Sequence, residues 1–266
     1  MGRHEKQARP EYVALGRRLD GVPEVATLGV RPNFLDYTRQ ERQQILDASI
    51  ILYPTLNYAQ FFTTMGKRIF PSLETYLYAD EKMKQTTLFN LLSIPHPRTR
   101  FYLQREFSRI TEDYTYPFIA KIPRASARGR GVFMIAGGAD LREYLQKTKI
   151  AYIQEYIPHD RDLRVILINY EPVLAYWRQK PPGGFRTNLF QGGELDFSGI
   201  PGDVLSLAGE FARRCKLNDV GLDLLQHKNT WLLLEANMQY GREGFRRKNM
   251  VLKEVIRRKL LAGTLF

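Results

Sequence analysis

The chain has 266 residues, is 44% hydrophobic and 26% charged, and carries a formal net charge of +12. These proportions exclude a disordered chain and allow a real core, in one large domain or in two or three small lobes. The longest apolar runs, WLLLEA and VILIN, are too short to cross a bilayer, and the basic start MGRHEKQARPEY has no apolar segment behind it, so no membrane span or secretory signal is expected.

The elements follow in chain order. EVATLGV (24–30) and SIILYP (49–54) read as strands around a helix at RQERQQILDA (39–48), giving a short α/β unit over residues 1–76. DEKMKQTTLFNLLS (80–93) is a helix with apolar Met83, Leu88, Leu91 and Leu92, ended by IPHPRT. YPFIAKI (116–122) and GVFMI (131–135) are strands joined by a Gly/Arg/Ser loop, ADLREYLQKT (139–148) is a helix, and AYIQEYI (151–157) is a strand. DLRVILIN (162–169) and EPVLAYWRQK (171–180) are longer strands. DVLSLAGEFARRCKL (203–217) is an amphipathic helix with Val204, Leu207, Ala208, Phe211 and Cys215 on one face. A hairpin at 220–237 and a basic helix from about Asn249 close an α+β chain whose later pairing is antiparallel.

The positive charge is concentrated. Residues 241–266 hold eight Lys or Arg against two Glu, and KIPRASARGRG (121–131) holds four cations and no acid. An anionic partner fits this balance: a nucleotide, a polyacidic peptide or nucleic acid. Cys215, the single cysteine, cannot form an internal disulfide; it reads as a core residue in a chain of the reducing cytoplasm.

The hairpin VGLDLLQHKNTWLLLEAN carries the most chemistry. Glu235 and Asn237, two apart on a strand, leave the same face, and a turn centred on Asn229 sets Asp223 opposite Glu235. Two carboxylates and an amide oxygen are hard ligands suited to Mg²⁺ carrying phosphates. Leu222, Leu224, Leu234 and Ala236 would form the buried opposite face. The residues alone leave a second reading open, a solvated polar face paired with nearby arginines.

In the 121–131 loop, Gly129 and Gly131 allow backbone N–H groups to approach phosphate, and Lys121, Arg124, Ser126 and Arg128 supply charge and donors. A glycine-containing hairpin is more often just a turn, and the loop lacks the Lys-Ser/Thr ending of a P-loop. His159 reads as a loop histidine. No His/Cys cluster has zinc spacing and no nucleophile elbow is present, which disfavours covalent hydrolase chemistry.

In order along residues 50–245, these pieces resemble the ATP-grasp superfamily, most closely its RimK-type amino-acid ligases. DEKMKQTTLFNLLSIPHPRT resembles the family's nucleotide-lysine helix, with Lys82 in the lysine position. YPFIAKIPRASARGRGV resembles its second lysine strand and phosphate-covering loop, with Lys121, Ser126, Gly129 and Gly131. YIQEYI looks like the adenine hinge at Glu155, Tyr156 and Ile157, and Asp162 of DLR takes the place of a ribose-binding acid.

WRQKPPGGFRTNLFQGG (177–193) is the most diagnostic stretch. Arg178 matches a substrate arginine, and Arg186 and Asn188 match phosphate contacts. Asp223, Glu235 and Asn237 fall on the metal positions. One departure stands out: after Glu-x-Asn the family usually has a small residue and proline, whereas this chain reads Met238-Gln239-Tyr240-Gly241.

The resemblance implies an ATP-grasp fold over residues 77–266, with a small lobe at about 100–155 and a large lobe at about 156–266 clasping ATP. It implies an enzyme, an ATP- and Mg²⁺- (or Mn²⁺-) dependent ligase that joins a carboxylate to an amine through an acylphosphate, with Arg186 stabilising the oxyanion and the 124–131 loop excluding water. The amine acceptor is expected to be a small molecule or an acidic peptide or protein tail. The charge of the C-terminal segment, with Arg242, Arg246 and Arg247, fits recognition of such a tail and equally a solvated helix face. The alternatives are an ATP-binding regulator without turnover and, less favoured, a nucleic-acid-binding protein; neither needs the metal triad.

Overall fold

In a computed structural model, residues 12–123, 131–180 and 194–266 are described. Along them run β1 (Tyr12–Ala14), β2 (Val25–Thr27), α1 (Arg39–Asp47), β3 (Ile50–Leu52), α2 (Leu56–Thr64), β4 (Arg68–Phe70), α3 (Leu73–Tyr78), α4 (Lys82–Leu91), β5 (Thr99–Leu103), α5 (Ile110–Asp113), β6 (Phe118–Lys121), β7 (Val132–Ile135), α6 (Gly138–Leu145) and β8 (Ile150–Glu155). There follow β9 (Arg161–Ile168), β10 (Glu171–Gln179), β11 (Glu194–Asp196), α7 (Gly202–Arg214), β12 (Asp219–His227), β13 (Thr230–Asn237), α8 (Glu243–Arg247) and α9 (Leu252–Leu261). The chain divides into two compact units, Met1–Tyr76 with Phe245–Phe266, and Leu77–Gly244.

The first unit is built on a parallel sheet in the order β2-β1-β3-β4. All three residues of β3 are buried, as befits an inner parallel strand. Helix α1 starts at a reciprocal cap, Thr38 Oγ1 accepting from Glu41 N (3.2 Å) while Glu41 Oε2 accepts from Thr38 N (2.7 Å). The strand expected at 24–30 is confined to Val25–Thr27. Residues 245–266 group here rather than with the 77–244 body to which the sequence reading assigned them. Part of their positive charge is spent internally: Arg257 forks onto Glu24 (2.8 and 2.6 Å), holding that carboxyl down at about 2, and Lys253 Nζ donates to Asp20 O (3.3 Å).

The second unit holds two antiparallel sheets. The four-stranded one, β5-β8-β6-β7, packs Tyr102, Phe118, Ala120, Ile135, Ala151 and Ile153 against Leu141 and Tyr144 of α6. The five-stranded one has the order β11-β10-β9-β12-β13. One of its faces is apolar: Leu163, Val165, Leu222, Leu224, Leu233 and Ala236 pack with Val204, Ala208, Phe211 and Cys215 of the α7 segment and with Phe89 of α4. The α7 face is thus the one its periodicity indicates, with Leu207 partly buried, and Cys215 is a core thiol. By strand alternation the opposite face carries Asp162, Arg164, Tyr176, Arg178, Gly221, Asp223, Glu235 and Asn237.

Two expectations are corrected. Leu91 is 77% exposed; α4 instead buries Gln85, Thr86 and Phe89, because Gln85 bonds Ala236 through its Oε1 (2.7 Å) and Nε2 (3.4 Å) and Thr86 pairs with the Tyr152 hydroxyl (2.9 Å). In the 220–237 hairpin, Leu233 and not Leu234 takes the core position. The turn consists of Lys228 and Asn229, both at positive φ, and the register slips by one residue between Asp223 and Leu224. The two offsets compensate, so Asp223 still faces Glu235 as expected.

Candidate active site

The polar face of the five-stranded sheet gathers most of the expected residues. Lys82, at the start of α4, places Nζ 3.2 Å from Glu235 Oε1. Asp223 lies between Glu235 on one neighbouring strand and Arg164 on the other. Arg164 forks onto it, Nε to Oδ1 at 2.5 Å and Nη2 to Oδ2 at 2.6 Å, and Arg178 Nη2 adds a contact to Oδ2 at 3.0 Å. Arg178 Nε also donates to Asp162 Oδ1 at 2.7 Å.

Two guanidiniums and two carboxylates therefore alternate across three strands, all nearly excluded from water. Burial alone would raise the Asp223 pKa, but Arg164 and Arg178 outweigh it and hold it below the usual carboxylate range. Burial would lower the Arg178 pKa, and Asp162 and Asp223 raise it instead. The solvated-face reading was thus half right: arginines do pair with the carboxylates, inside the protein.

Lys121 ends β6 opposite Tyr152 of β8. Its Nζ stands 5.3 Å from the centre of the Tyr152 ring and makes no ion pair among the described residues. The side chain is buried, which depresses the ammonium pKa; Glu235 works against that, Lys82 adds to it, and Asp223 opposes it. The Tyr144 hydroxyl fixes this strand pair, donating to Lys121 O (2.7 Å) and accepting from Tyr152 N (3.0 Å). Tyr152 couples the small sheet to α4 through Thr86, and burial pushes its hydroxyl up to about 12.

The remaining expected residues among those described have partners of their own. Glu155 Oε1 accepts from Arg98 N (2.7 Å), so its carboxylate ties β8 to the segment before β5. Ile157 is buried and its carbonyl meets His159 Nδ1 at 2.7 Å; burial lowers the His159 pKa, and the ring fits the loop role expected for it. Lys180 Nζ lies 5.8 Å from the Tyr156 ring centre, and Gly131 O accepts from Ile122 N to continue the β6–β7 ladder. Arg178 and Asp162, expected to face substrate and ribose, bond to each other here. Arg124, Ser126, Arg128, Gly129, Arg186 and Asn188 lie outside the described residues.

Asp223, Glu235 and Asn237 offer the hard oxygen donors that suit a divalent cation, but Arg164 and Arg178 occupy three of the roughly four lone-pair sites of Asp223 and leave it about one to share. Among the described residues Glu235 pairs with Lys82, and the Asn237 Nδ2 atom is buried without a hydrogen-bond partner. An amide that can turn either edge inward can present its oxygen. No group of three or more His, Cys, Asp or Glu side chains suited to a metal occurs among the described residues. Sequence reasoning missed Arg164, which stands in the quoted DLR triplet; only the register of β9 against β12 reveals its partner.

The sequence matches the RimK-like ATP-grasp domain family over residues 79–260. A probable alpha-L-glutamate ligase of Hahella chejuensis is 29% identical over 209 residues, 75% of this chain and 68% of that protein. The coenzyme gamma-F420-2:alpha-L-glutamate ligase of Methanocaldococcus jannaschii is 28% identical over 205 residues, 72% and 70% of the two chains. Among solved structures, the ATP-grasp ligase PsnB complexed with minimal precursor, Mg and ADP has the same fold, with TM-score 0.60, 16% identity, and coverage of 82% and 78%. The chain belongs to the RimK-like ATP-grasp family, and with it to the ATP-dependent ligases that form C–N bonds.

Proposed function

We propose that this chain uses Mg²⁺-ATP to activate a carboxylate and couple it to an amino acid or other amine, and that it does so in the cytoplasm. The observation that carries this is Lys121: a buried cation with no anionic partner among the described residues, on the side of the Lys82–Glu235 pair, is a place prepared for phosphate. Lys82 and Lys121 would neutralise the phosphate oxygens, and the 155–157 segment and Asp162 would hold the nucleoside. Asp223, Glu235 and Asn237 would hold the metal, which supplies charge neutralisation to phosphates in transfer.

A carboxylate oxygen attacks the γ-phosphorus, forming a P–O bond as the bond to the ADP oxygen breaks. The amine then attacks the acyl carbon, the C–N bond forms, and phosphate leaves as the amine loses a proton. Such transfer needs positioning and charge neutralisation rather than a protein nucleophile, in keeping with a site of lysines, arginines and carboxylates. The relatives' names make L-glutamate the first amine to test, and the net charge of +12 favours an acidic peptide as the other substrate.

The test is Mg²⁺-dependent ADP release, screened over amino acids with acidic peptides, with Glu235→Ala alongside. Substrate-dependent release that the variant lacks is the expected result. ATP binding without turnover under every pairing would favour a regulator, and absence of ATP binding would reject the reading.

A further inference from the structure

The segment after Asn237 crosses the polar face of the sheet and is fastened to it. Tyr240 is buried, and its ring lies over Gly221, where an added Cβ would come within 2.5 Å of the Tyr240 Cβ. The Tyr240 hydroxyl donates to Asp219 Oδ1 at 2.7 Å. Four residues on, Gly244 lies against the Tyr176 ring so closely that any side chain there would overlap it. Two glycines, one beneath the crossing segment and one within it, thus permit contact that no other residue allows.

Arg164 joins this strap to the carboxylate below. Its Nε and Nη2 hold both oxygens of Asp223, and its remaining nitrogen, Nη1, donates to Tyr240 O at 3.1 Å. One planar guanidinium therefore ties the Asp223 carboxylate, which Arg178 Nη2 also contacts at Oδ2 (3.0 Å), to the height of the strap. A lysine could supply the charge but not the fork.

We propose that Arg164 is a positioning residue that sets the Asp223 carboxylate for its cation, and that Tyr240, seated on Gly221, locks Arg164 in place. The position of the 238–244 strap and the orientation of Asp223 are then a single variable. This rests on the ligase reading, in which Asp223 helps hold the metal of the nucleotide complex.

Two variants preserve charge while breaking the link at different ends. Arg164→Lys keeps the cation and loses the fork; Gly221→Ala alters no charged group and displaces Tyr240, the added Cβ standing 2.5 Å from the Tyr240 Cβ and 3.4 Å from the Arg164 Cδ. The probe is Mn²⁺ in the presence of ADP, followed by the electron paramagnetic resonance of the free ion, which needs no knowledge of the acceptor. Circular dichroism checks that both variants are folded.

Each variant is expected to weaken Mn²⁺ binding about tenfold or more, the scale on which groups that orient metal ligands act. Wild-type binding with Mn²⁺ affinity unchanged in both folded variants would overturn the role of Arg164. A shift in Arg164→Lys alone would overturn the part given to Tyr240. Failure of the wild type to bind Mn²⁺ with ADP would overturn the ligase reading itself.

Discussion

Replacing Lys121 with Met separates what the site costs from what it does. Lys121 is 8% exposed, and its ammonium lies 5.3 Å from the centre of the Tyr152 ring. Desolvating an ion costs several kcal/mol even after relaxation. Attraction to Glu235, Asp223 and the ring offsets most of this, the ring contributing about 0.5–2 kcal/mol. Methionine keeps the aliphatic stem and removes the charge, so the variant should gain about 1–2 kcal/mol without ligand. For a unit the size of 77–244 that is a rise in Tm of about 2–8 °C.

Nucleotide should reverse the order. Mg²⁺-ATP at a hundred times its Kd adds about 2.7 kcal/mol to a protein that binds it, and the variant has lost a phosphate partner. The pH dependence has a defined sign as well. The folded pKa of Lys121 lies below its unfolded value, so the penalty is complete below the folded pKa. It fades as pH rises through the folded pKa towards the unfolded value of about 10.4. The variant's advantage should shrink over that window. Thermal melts at pH 7 and in mild alkali, with and without Mg²⁺-ATP, read all three effects. A variant less stable than wild type without nucleotide, or equally stabilised by it, would refute the reasoning.

Two further predictions concern the polar face. Arg178→Ala leaves buried Asp162 and Asp223 short of a partner and should cost about 3–5 kcal/mol in urea unfolding at pH 7. Asp223 has a lowered folded pKa, so its contribution is present above its unfolded pKa and lost as pH falls through the folded one; variant and wild type should converge in acid, and a parallel offset at all pH values would contradict this. Gly244→Ala forces a methyl into the Tyr176 ring and should cost about 1–3 kcal/mol, read as a lowered Tm; an unchanged Tm would show that the strap yields freely.

The sequence carried much of this arrangement because strand alternation is local. VGLDLL and LLLEAN each announce one polar and one apolar face, and the expected pairing of Asp223 with Glu235 holds even though the turn sits half a residue from its expected centre and a bulge restores the register. Polar burial is harder to read. Gln85 and Thr86 look like solvent positions of α4 until Ala236 and Tyr152, distant in sequence, bring them partners, and Leu91 is displaced to the surface as a result. The three-residue parallel strands β1 and β4 have too little periodicity to stand out, since they are stabilised by neighbours. Arg164 fell short for a related reason: its chemistry depends on which residue the sheet sets beside it.

The return of residues 245–266 to the first unit has a consequence for how the chain acquires its structure. In synthesis from the N-terminus, residues 77–244 have all been made while Glu24 still lacks Arg257 and Tyr12 still lacks the neighbouring ring of Phe266. The middle of the chain can therefore fold before the unit that precedes it is complete. Loss of the final helix would then be felt first by the residues made earliest, and a fragment ending near Gly244 would retain the ligase sheets while its opening segment lacked α9.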